Sequence, residues 1–410
     1  MLFLHIQRTY KRLQAGESIY GRSKKFRRLN HSKILLVGMV ESSHFQNWLK
    51  ALVEEFPDKE IHIFPSDRPH LSNTKLIKLH EIGKSGRIFK LSRIGRLNFI
   101  LYYALDLVLG FRWRAYFLGR IIIRHKPSII HFHEMQHGSY IFNLVVGYKS
   151  VPNNSKNLVS TWGSDLNLYS WSEEHQQQIR SCLKWTDILT SERDRDFEDA
   201  QRLGFEGDFR APVYITLGRA QDEYVQGSKP STRRVILVKG YQDNPGRALN
   251  ALQILLQLKN EISGYEVIVY SASEAVRLQV EILRNRDSLN IRVLPQVSNL
   301  EMRELFSKAR VSISLSISDG LPGALVEAMW AGAFPIQSKD SAAGEFLRQG
   351  ENGFVVDPWD LKSIEIALRE VLLSDDLVDE ASNINMRLLS KNFSLNEGIA
   401  KLKNLYLEGV

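Results

Sequence analysis

The chain has 410 residues, of which 43% are hydrophobic and 10% aromatic, and it carries a formal net charge of +8. This length is too great for one ordinary core and the composition excludes a disordered chain, so we expect two folded domains. The single cysteine, Cys182, excludes an intrachain disulfide framework and fits a reducing compartment.

Positive charge is concentrated in the first 150 residues. Residues 1–32 are basic and lack a periodic apolar pattern, so we expect an N-terminal extension there. Within residues 87–126, basic side chains are interleaved with aromatic ones, which suits an anionic membrane surface. The same composition suits nucleic acid or an ordinary solvated helix face, and of these partners we expect no nucleic acid.

No segment is expected to span a bilayer. The most apolar run, residues 98–111, is about 14 residues long and contains Asp106, whereas a spanning helix needs roughly 20 residues. The first residues also lack the order of a secretory signal. We therefore expect a cytoplasmic protein, with peripheral contact to the inner face of the membrane through its basic residues.

Strand and helix patterns alternate along both halves of the chain. Residues 33–40 and 60–67 predict buried strands with a helix between them, a β-α-β opening that is typical of parallel sheets. Further strands are predicted in this half at 128–133, 157–165 and 187–192. Residues 205–232 are rich in Gly, Pro and polar residues and form the best linker candidate. We therefore predict α/β domains at 33–212 and 213–392, followed by a helix at 393–410.

The most informative segment is residues 318–338, SDGLPGALVEAMWAGAFPIQS. The alternation before it predicts a strand with Asp319 at its C-terminal end, and Glu327 is expected about one turn into the helix that follows. Backbone N–H groups at a helix start attract phosphate, and two flanking carboxylates can bind sugar or ribose hydroxyls. This arrangement is that of a nucleotide-sugar pocket. The alternative is a helix N-terminal Asp with a surface Glu and no ligand.

Together with GENGFVVDP at 350–358, this segment resembles the acidic-x7-Glu signature of glycosyltransferase family 4, a retaining family with the two-Rossmann, or type B, fold. The resemblance implies two Rossmann-like doubly wound parallel-sheet domains facing across a cleft. The first would lie on the acceptor side, the second would bind the nucleotide-sugar donor, and the C-terminal helix would return to the first. The family more often has Glu where this chain has Asp319, a departure that bears on sugar preference.

The resemblance also implies roles for residues of the second domain. Asp319 would hold the donor sugar and Glu327 the ribose, while the turn would hold the phosphates through Gly320, Leu321, Pro322 and Gly323. Lys239 and Arg247 occupy the positions of the family's two diphosphate-binding cations, with the residue types exchanged, and Val297 is a further donor contact. The alternative for both cations is a surface position near a turn.

In the first domain, HFHEMQHG at 131–138 resembles the family's His-containing loop, and TWGSD at 161–165 resembles another, with Trp162 in place of the usual His. These matches suggest His133 and Asp165 as catalytic residues alongside Asp319. Acceptor-side candidates are Ser43, His44, His137, Trp162 and Gly163. The alternative for Asp165 is a helix N-cap.

A metal site is not predicted. We expect His131 and His133 to point to opposite faces of their strand, which disfavours a zinc cluster with His137. Asp194 and Asp196 are interpreted as part of a charged helix face. Two cations on the diphosphate would also make a metal ion unnecessary.

These observations favour a metal-independent retaining glycosyltransferase of the hexosyltransferase class, with a UDP- or GDP-linked sugar as donor and no other cofactor. The implied acceptor is a glycan or lipid-linked glycan of the cell-surface polysaccharide or lipopolysaccharide type, an inference by analogy. Two alternatives stay open. One is a nucleotide-sugar epimerase of similar fold, and the other is a non-catalytic binding protein that uses the basic domain.

Overall fold

The computed structural model describes residues 33–40, 42–66, 86–88, 104–105, 107–147, 155–210, 212–214, 227–243 and 245–407. The predicted extension at 1–32 lies outside the described residues, as do residues 89–103 and 106 of the basic segment 87–126 and residues 211 and 215–226 of the linker 205–232. The described chain divides into two compact units. The first contains the residues up to Ser191, those from Arg195 to Tyr214 and those from Ile399 onward. The second contains Glu192–Asp194 and the residues from Gly227 to Gly398.

The first unit is built on a parallel sheet, for which seven strands fall within the described residues, in the order β3-β2-β1-β4-β5-β6-β7. The strands are β1 (Lys33–Gly38), β2 (Glu60–Pro65), β3 (Gly86–Ile88), β4 (Ile129–His133), β5 (Lys156–Thr161), β6 (Ile188–Ser191) and β7 (Asp208–Arg210). The helices are α1 (Ser43–Glu55), α2 (Arg112–His125), α3 (Tyr140–Val146), α4 (Glu173–Trp185) and α5 (Asp194–Arg202). A π-helical turn, Met135–Ser139, joins β4 to α3.

The second unit is built on a parallel sheet whose six described strands have the order β10-β9-β8-β11-β12-β13. They are β8 (Val235–Lys239), β9 (Glu266–Tyr270), β10 (Ile291–Val293), β11 (Ala309–Ser314), β12 (Phe334–Ser338) and β13 (Phe354–Val356). The helices are α6 (Ala248–Gln257), α7 (Glu274–Asn285), α8 (Asn299–Lys308), α9 (Gly323–Trp330), α10 (Leu361–Leu373) and α11 (Asp375–Asn392). A last helix, α12 (Leu395–Leu407), begins in this unit and has its residues from Ile399 onward in the first.

Strand β8 shows why these segments are continuous apolar runs. Side chains alternate across a strand, so Ile236 and Val238 lie in one buried cluster while Leu237 lies in another on the opposite face. A parallel sheet is covered by helices on both faces, and most interior residues of such a strand are therefore apolar. The prediction of two doubly wound Rossmann-like α/β domains is confirmed.

The strand orders fix where ligands can bind. In each sheet the order reverses beside the first strand, between β1 and β4 in the first unit and between β8 and β11 in the second. Ligands of open α/β sheets bind beyond the carboxyl ends of strands at such points. The ends of β4, β8 and β11 carry His133, Lys239 and the loop to Asp319, so the predicted residues lie at the expected edges.

Helix α12 supplies residues to the first unit from Ile399 onward. There the Trp48 indole N–H donates to the hydroxyl of Tyr406, at 3.0 Å. Lys403 forms an ion pair with Glu55 on α1. Among the described residues, every helix is too short or too polar to cross a bilayer.

Two local predictions were wrong. Strand β11 ends at Ser314, so Asp319 lies in a loop five residues beyond the strand rather than at its end. Asp196 is buried rather than on a solvated face, and its carboxylate accepts hydrogen bonds from the hydroxyls of Ser191 at 2.5 Å and Thr161 at 3.3 Å. The alternation of charges in residues 192–199 does not reveal which side of the helix faces the sheet.

Candidate functional site

Two loops meet at the carboxyl edge of the second sheet. The backbone N–H of Ile317 donates to Pro245 at 2.8 Å, and that of Arg247 donates to Leu315 at 2.9 Å. Gly246 and Ser316 form a bridge between these contacts. Pairing of the backbones fixes the loop after β8 against the loop after β11. The two segments that carry the predicted donor-binding residues are therefore neighbours.

Lys239 and Asp319 are brought together by this pairing. The Lys239 ammonium lies 3.5 Å from Oδ2 of Asp319, and both side chains are partly exposed. The other oxygen of Asp319 accepts the backbone N–H of Gly320 at 3.0 Å. The ammonium also lies 4.8 Å from the ring centre of Tyr241. A cation for phosphate and a carboxylate for hydroxyls thus stand side by side at the strand ends.

Arg247 lies on the same loop but is directed to an aromatic neighbour. Its guanidinium stands 4.5 Å from the ring centre of Trp359, which is 62% exposed. It also donates to the carbonyl oxygens of Asp243 and Gly246. The predicted contact of Arg247 with a diphosphate stays a prediction.

The turn 319–322 leads directly into helix α9. Pro322 has φ −65° and ψ 124° and precedes Gly323, the first helical residue. Two residues not predicted from the sequence hold this turn in the second unit. Arg193 donates to the carbonyl oxygens of Asp319 and Asp340, both at 2.8 Å, and Glu192 accepts the backbone N–H of Leu321 at 3.3 Å. Their place in the chain, far from the turn they support, gives no sequence signal for this role.

A cavity of about 500 Å³ opens beside helix α9. Glu327 and Val297, both predicted donor contacts, line it. The other lining residues come from the ends of β9 and β10 and from helices α7, α8 and α9, and they are Tyr270, Ser271, Arg277, Leu294, Pro295, Gln296, Asn299, Met302, Arg303, Phe306 and Ala324. The cavity adjoins the Lys239–Asp319 pair through the sheet, because Lys239 is the register partner of Tyr270.

Glu327 is held on the cavity wall by an ion pair. Arg303 of helix α8 places its Nε 3.6 Å from the Glu327 carboxylate, and both side chains are 22% exposed. Arg303 was not predicted from the sequence, because one Arg in an amphipathic helix is ordinarily a solvated residue. The pair orients the carboxylate while leaving it accessible to a hydroxyl group.

In the first unit, His133 ends strand β4 and is 1% exposed. Its ring packs against those of Phe45, Trp48 and Trp162, with centroid distances of 5.1, 5.2 and 6.1 Å. Neither of its ring nitrogens has a hydrogen-bond partner among the described residues. An unpartnered, buried imidazole at a strand's carboxyl end is a candidate ligand contact.

His131 lies on the same face of β4 as His133, and the expectation of opposite faces was wrong. Their ring centroids are 4.0 Å apart. Residues two apart on a strand share a face because side chains alternate with a period of two. His131 is fully bonded, with Nδ1 2.5 Å from the Tyr406 hydroxyl and Nε2 2.7 Å from the Ser160 hydroxyl.

Burial keeps both imidazoles neutral. It lowers the pKa of His133 to about 3. It also lowers the pKa of His131 well below its usual value, with a further contribution from the charge of His133. Neutral imidazoles can donate or accept a hydrogen bond to a sugar hydroxyl, but a group with a pKa near 3 is a weak general base.

Acceptor-side candidates surround this histidine pair. The ring centroids of His44 and Trp162 are 5.6 Å apart. Ser43 is the first residue of α1, and its side chain lies outside the described residues. Gly163 has φ +94°, a conformation that favours glycine and lets the chain turn sharply after Trp162. His44, Trp162 and His133 are therefore brought together.

Asp165 and Glu134 organise the loops beside His133. Asp165 is 4% exposed and accepts the backbone N–H groups of Met135 at 2.8 Å and Trp162 at 2.6 Å. Burial, and secondarily the charge of Glu134, raise the pKa of Asp165 to about 7. This bonding joins the loops after β4 and β5 and differs from the helix cap considered as an alternative. The catalytic role of Asp165 stays a prediction.

Glu134 adopts φ +76°, which is strained for a residue other than glycine. Its carboxylate accepts the backbone N–H groups of His137 and Gly138, at 3.0 and 2.9 Å, and contacts the His137 ring nitrogen at 3.1 Å. These bonds stabilise the π-helical turn after β4. His137 is therefore held at the turn, with its side chain 48% exposed.

The second unit is similar in sequence to a known protein family. Residues 225–386 match the family model of glycosyl transferases group 1. The chain is 29% identical over 154 residues to the GDP-mannose:cellobiosyl-diphosphopolyprenol alpha-mannosyltransferase of Komagataeibacter xylinus. That match covers 36% of this chain and 39% of the mannosyltransferase, so it spans well under half of either protein.

Solved structures share the architecture of nearly the whole chain. The sucrose-phosphate synthase of Thermosynechococcus elongatus has a TM-score of 0.71 at 13% identity, over 92% of this chain and 99% of that one. HepE of Anabaena, in complex with UDP and glucose, has a TM-score of 0.67 at 13% identity, over 92% and 100%. At these identities the likeness shows the type B fold. With the family match, it confirms the resemblance drawn from residues 318–338.

Proposed function

We propose that this chain, whose residues 225–386 match the group 1 glycosyl transferase family model, moves a sugar from a nucleoside-diphosphate sugar to a hydroxyl of a glycan or lipid-linked glycan, with retention of anomeric configuration. The observation that carries the proposal is the cavity beside helix α9. Its wall holds Glu327, and the Lys239–Asp319 pair stands at the neighbouring strand end. Few other ligands need a hydroxyl-binding carboxylate, a phosphate-binding cation and a helix start together.

The donor would occupy the second unit in three parts. The base enters the cavity beside Val297, and the ribose hydroxyls bind Glu327, which Arg303 orients. The diphosphate lies at the start of helix α9, over the turn 320–323, where backbone dipoles favour negative charge. The sugar hydroxyls bind Asp319.

Catalysis in this proposal depends on stabilising the leaving group. Negative charge accumulates on the nucleoside diphosphate as the glycosidic bond breaks, and the fixed ammonium of Lys239 stabilises that charge more in the transition state than before it. Arg247 is the second proposed cation. Because His133 is a weak base, the acceptor proton passes to an oxygen of the departing diphosphate, consistent with attack from the same face of the sugar and with retention.

The acceptor would bind through the first unit. His133 offers a neutral imidazole to a sugar hydroxyl, and His44, His137 and Trp162 form the surrounding acceptor contacts. The mannosyltransferase relative acts, by its name, on a cellobiosyl-diphosphopolyprenol, which is a lipid-linked glycan. That name and the basic first 150 residues support an acceptor at a membrane surface, of the cell-surface polysaccharide or lipopolysaccharide type. We expect the labelled sugar of the donor to be transferred to polyprenol-diphosphate glycans but not to water-soluble oligosaccharides.

A thermal-shift panel tests donor binding. UDP, GDP and their sugar conjugates are added separately to the full chain. One nucleotide family at 100 times its dissociation constant should raise the free energy of unfolding by roughly 2.7 kcal/mol. A flat response to every nucleotide contradicts the proposal.

Product analysis distinguishes transfer from epimerisation. An epimerase converts the donor sugar with donor alone, whereas a transferase needs the acceptor for its main product. Conversion of the donor to an epimeric nucleotide sugar without acceptor would overturn the assignment.

We also propose that the reaction requires no metal ion, because Lys239 and Arg247 supply the positive charge at the diphosphate. Activity in EDTA should therefore equal activity with added Mg²⁺ or Mn²⁺. Complete loss in EDTA with full recovery in either ion contradicts this part of the proposal.

A further inference from the structure

A cluster of three potential metal ligands lies in the first unit, at the opposite end of the sheet from His133. Glu60, His62 and His125 each offer one ligand atom, and these atoms all lie within 4.8 Å of one another. Nε2 of His62 stands 3.0 Å from a carboxylate oxygen of Glu60. The rings of His62 and His125 have centroids 4.6 Å apart.

Local structure explains why these side chains converge. Glu60 and His62 are two apart on β2 and therefore share a face of the sheet. Phe64 lies on the same face and belongs to the same buried cluster as Ile122 of α2. His125 is the last residue of that helix and lies about one turn beyond Ile122. Packing of α2 on this face of β2 brings His125 to the histidine already on the strand.

The location separates this cluster from the proposed donor and acceptor contacts. Glu60 begins β2 and is the register partner of Lys33, the first residue of β1. His133 is instead the last residue of β4. Strands β1, β2 and β4 are parallel, so the cluster lies at the amino edge of the sheet and His133 at its carboxyl edge. The proposed reaction at the carboxyl edge has no use for these three residues.

Two imidazoles and one carboxylate form a ligand set that suits zinc. Zn²⁺ binds His nitrogen at 2.0–2.1 Å and carboxylate oxygen at about 2.0–2.2 Å, so ligand atoms around one tetrahedral ion lie about 3.3 Å apart. The 3.0 Å contact already meets this spacing, and side-chain movements on the order of 1 Å would close the remainder. His62 is fully buried, which fixes its ring, while Glu60 and His125 are partly exposed and leave an approach for the ion.

A basic residue, Lys33, lies beside the proposed metal ligand Glu60. The Lys33 ammonium lies 3.5 Å from the other oxygen of Glu60, with its side chain 32% exposed. A positive charge at this distance competes with a divalent cation for the same carboxylate. Removing that charge should therefore strengthen metal binding, an outcome that a purely structural role for the three residues does not predict.

We propose that Glu60, His62 and His125 bind one zinc-class divalent transition-metal ion that fastens strand β2 to the end of helix α2, with water as the fourth ligand. The ion stabilises the first unit and takes no part in sugar transfer. This inference is independent of the proposed function, since it concerns other residues and a different readout.

The experiment measures zinc stoichiometry and affinity on the full chain. Protein stripped with chelator is dialysed against buffered Zn²⁺, and bound metal is counted. Wild type should bind one equivalent, and His125→Gln and Glu60→Gln should each weaken binding at least about tenfold. His175→Gln is the matched control, because His175 lies on α4 and contacts Tyr140 rather than the cluster. Equal binding by wild type and His125→Gln, or no binding by wild type, overturns the proposal.

Two further readouts do not depend on the folding of a buried variant. Co²⁺ in place of Zn²⁺ should give the visible absorption of a four-coordinate site in wild type and lose it in His125→Gln, whose changed side chain is partly exposed. Lys33→Gln should bind Zn²⁺ more tightly than wild type. A six-coordinate Co²⁺ spectrum, or unchanged or weaker zinc binding by Lys33→Gln, contradicts the site described here.

Discussion

At the residue scale, the charged groups proposed to bind the donor stand in pairs. Glu327 is paired with Arg303, and Asp319 with Lys239. Partly exposed ion pairs of this kind contribute little to folding stability, with a typical value of about 0–1 kcal/mol. In our proposal, donor binding offsets the conformational entropy that these side chains lose on being ordered. Substitutions here should therefore affect activity much more than stability.

Lys239→Met tests the role of the cation at the diphosphate. The substitution keeps the length of the side chain and removes its charge, so we expect the catalytic rate to fall by about 10²–10³. Steady-state kinetics with saturating acceptor measures the change. Lys362→Met is the control, because Lys362 is an exposed partner of Glu365 on helix α10. Equal rates for the two variants would remove Lys239 from the proposed mechanism.

Asp165 predicts a pH dependence of stability. Its pKa is raised from 3.8 to about 7 in the folded protein, first by burial and then by Glu134. The folded chain therefore retains a proton that the unfolded chain releases, and this stabilisation is complete below about pH 4 and lost as the pH rises through about 7. Asp165→Asn cannot titrate, so its free energy of unfolding should vary less over this range. Denaturation of both proteins at several pH values measures the difference, and parallel profiles would contradict the assigned pKa.

At the element scale, the strands were predictable and the contacts between elements were not. Strand β8 is flanked by other strands and covered on both faces, so the continuous apolar run at residues 235–238 marks it in the sequence. The support of the 319–321 turn by Arg193 involves residues more than 120 positions apart. No periodicity links such residues. The prediction that His131 and His133 point to opposite faces was wrong because it misapplied the strand period. The burial of Asp196 was missed because the charge pattern fits either face of the helix.

The approach of strand β1 to helix α1 depends on Gly38. A Cβ at this position would lie 2.8 Å from the Phe45 ring and 2.9 Å from Cβ of His133. Gly38→Ala should therefore displace Phe45 or His133 and cost about 1–3 kcal/mol of stability through overpacking. Thermal unfolding measures the loss, and acceptor kinetics should show a lower rate. Gly264→Ala is the control, because nothing lies within 4 Å of its added Cβ. If both variants matched wild type, the close packing of His133 would be refuted.

Helix α12 contributes Tyr406 to the histidine pair. The Tyr406 hydroxyl contacts Nδ1 of His131 and accepts from Trp48, in a fully buried setting. Tyr406→Phe would leave both groups without this partner, at a cost of about 1–3 kcal/mol. The expected result is a lower unfolding midpoint together with a rise in the acceptor KM, because His131 packs against His133. Wild-type values for both quantities would show that α12 does not position the histidines.

At the scale of the whole molecule, sequence and structure agree on two doubly wound α/β units, and the family match over residues 225–386 supports the proposed class of enzyme. The donor candidates Glu327, Val297, Lys239 and Asp319 came from a resemblance, and the described residues place them at one edge of the second sheet. The cavity itself was not predictable, since it is made by side chains from the ends of β9 and β10 and from three helices. Donor base, sugar and acceptor depend on such side-chain geometry rather than on the strand pattern.

In the proposed function, the cavity beside helix α9 binds the nucleoside part of an activated sugar through Glu327. Isothermal titration of UDP and GDP into wild type, Glu327→Gln and the exposed-surface control Glu351→Gln tests it most directly. We predict that one nucleotide binds wild type and the control equally and binds Glu327→Gln about 10–100-fold more weakly, the loss of a hydrogen bond to a charged group. Equal affinity of all three proteins, or no affinity in any, would contradict the claim.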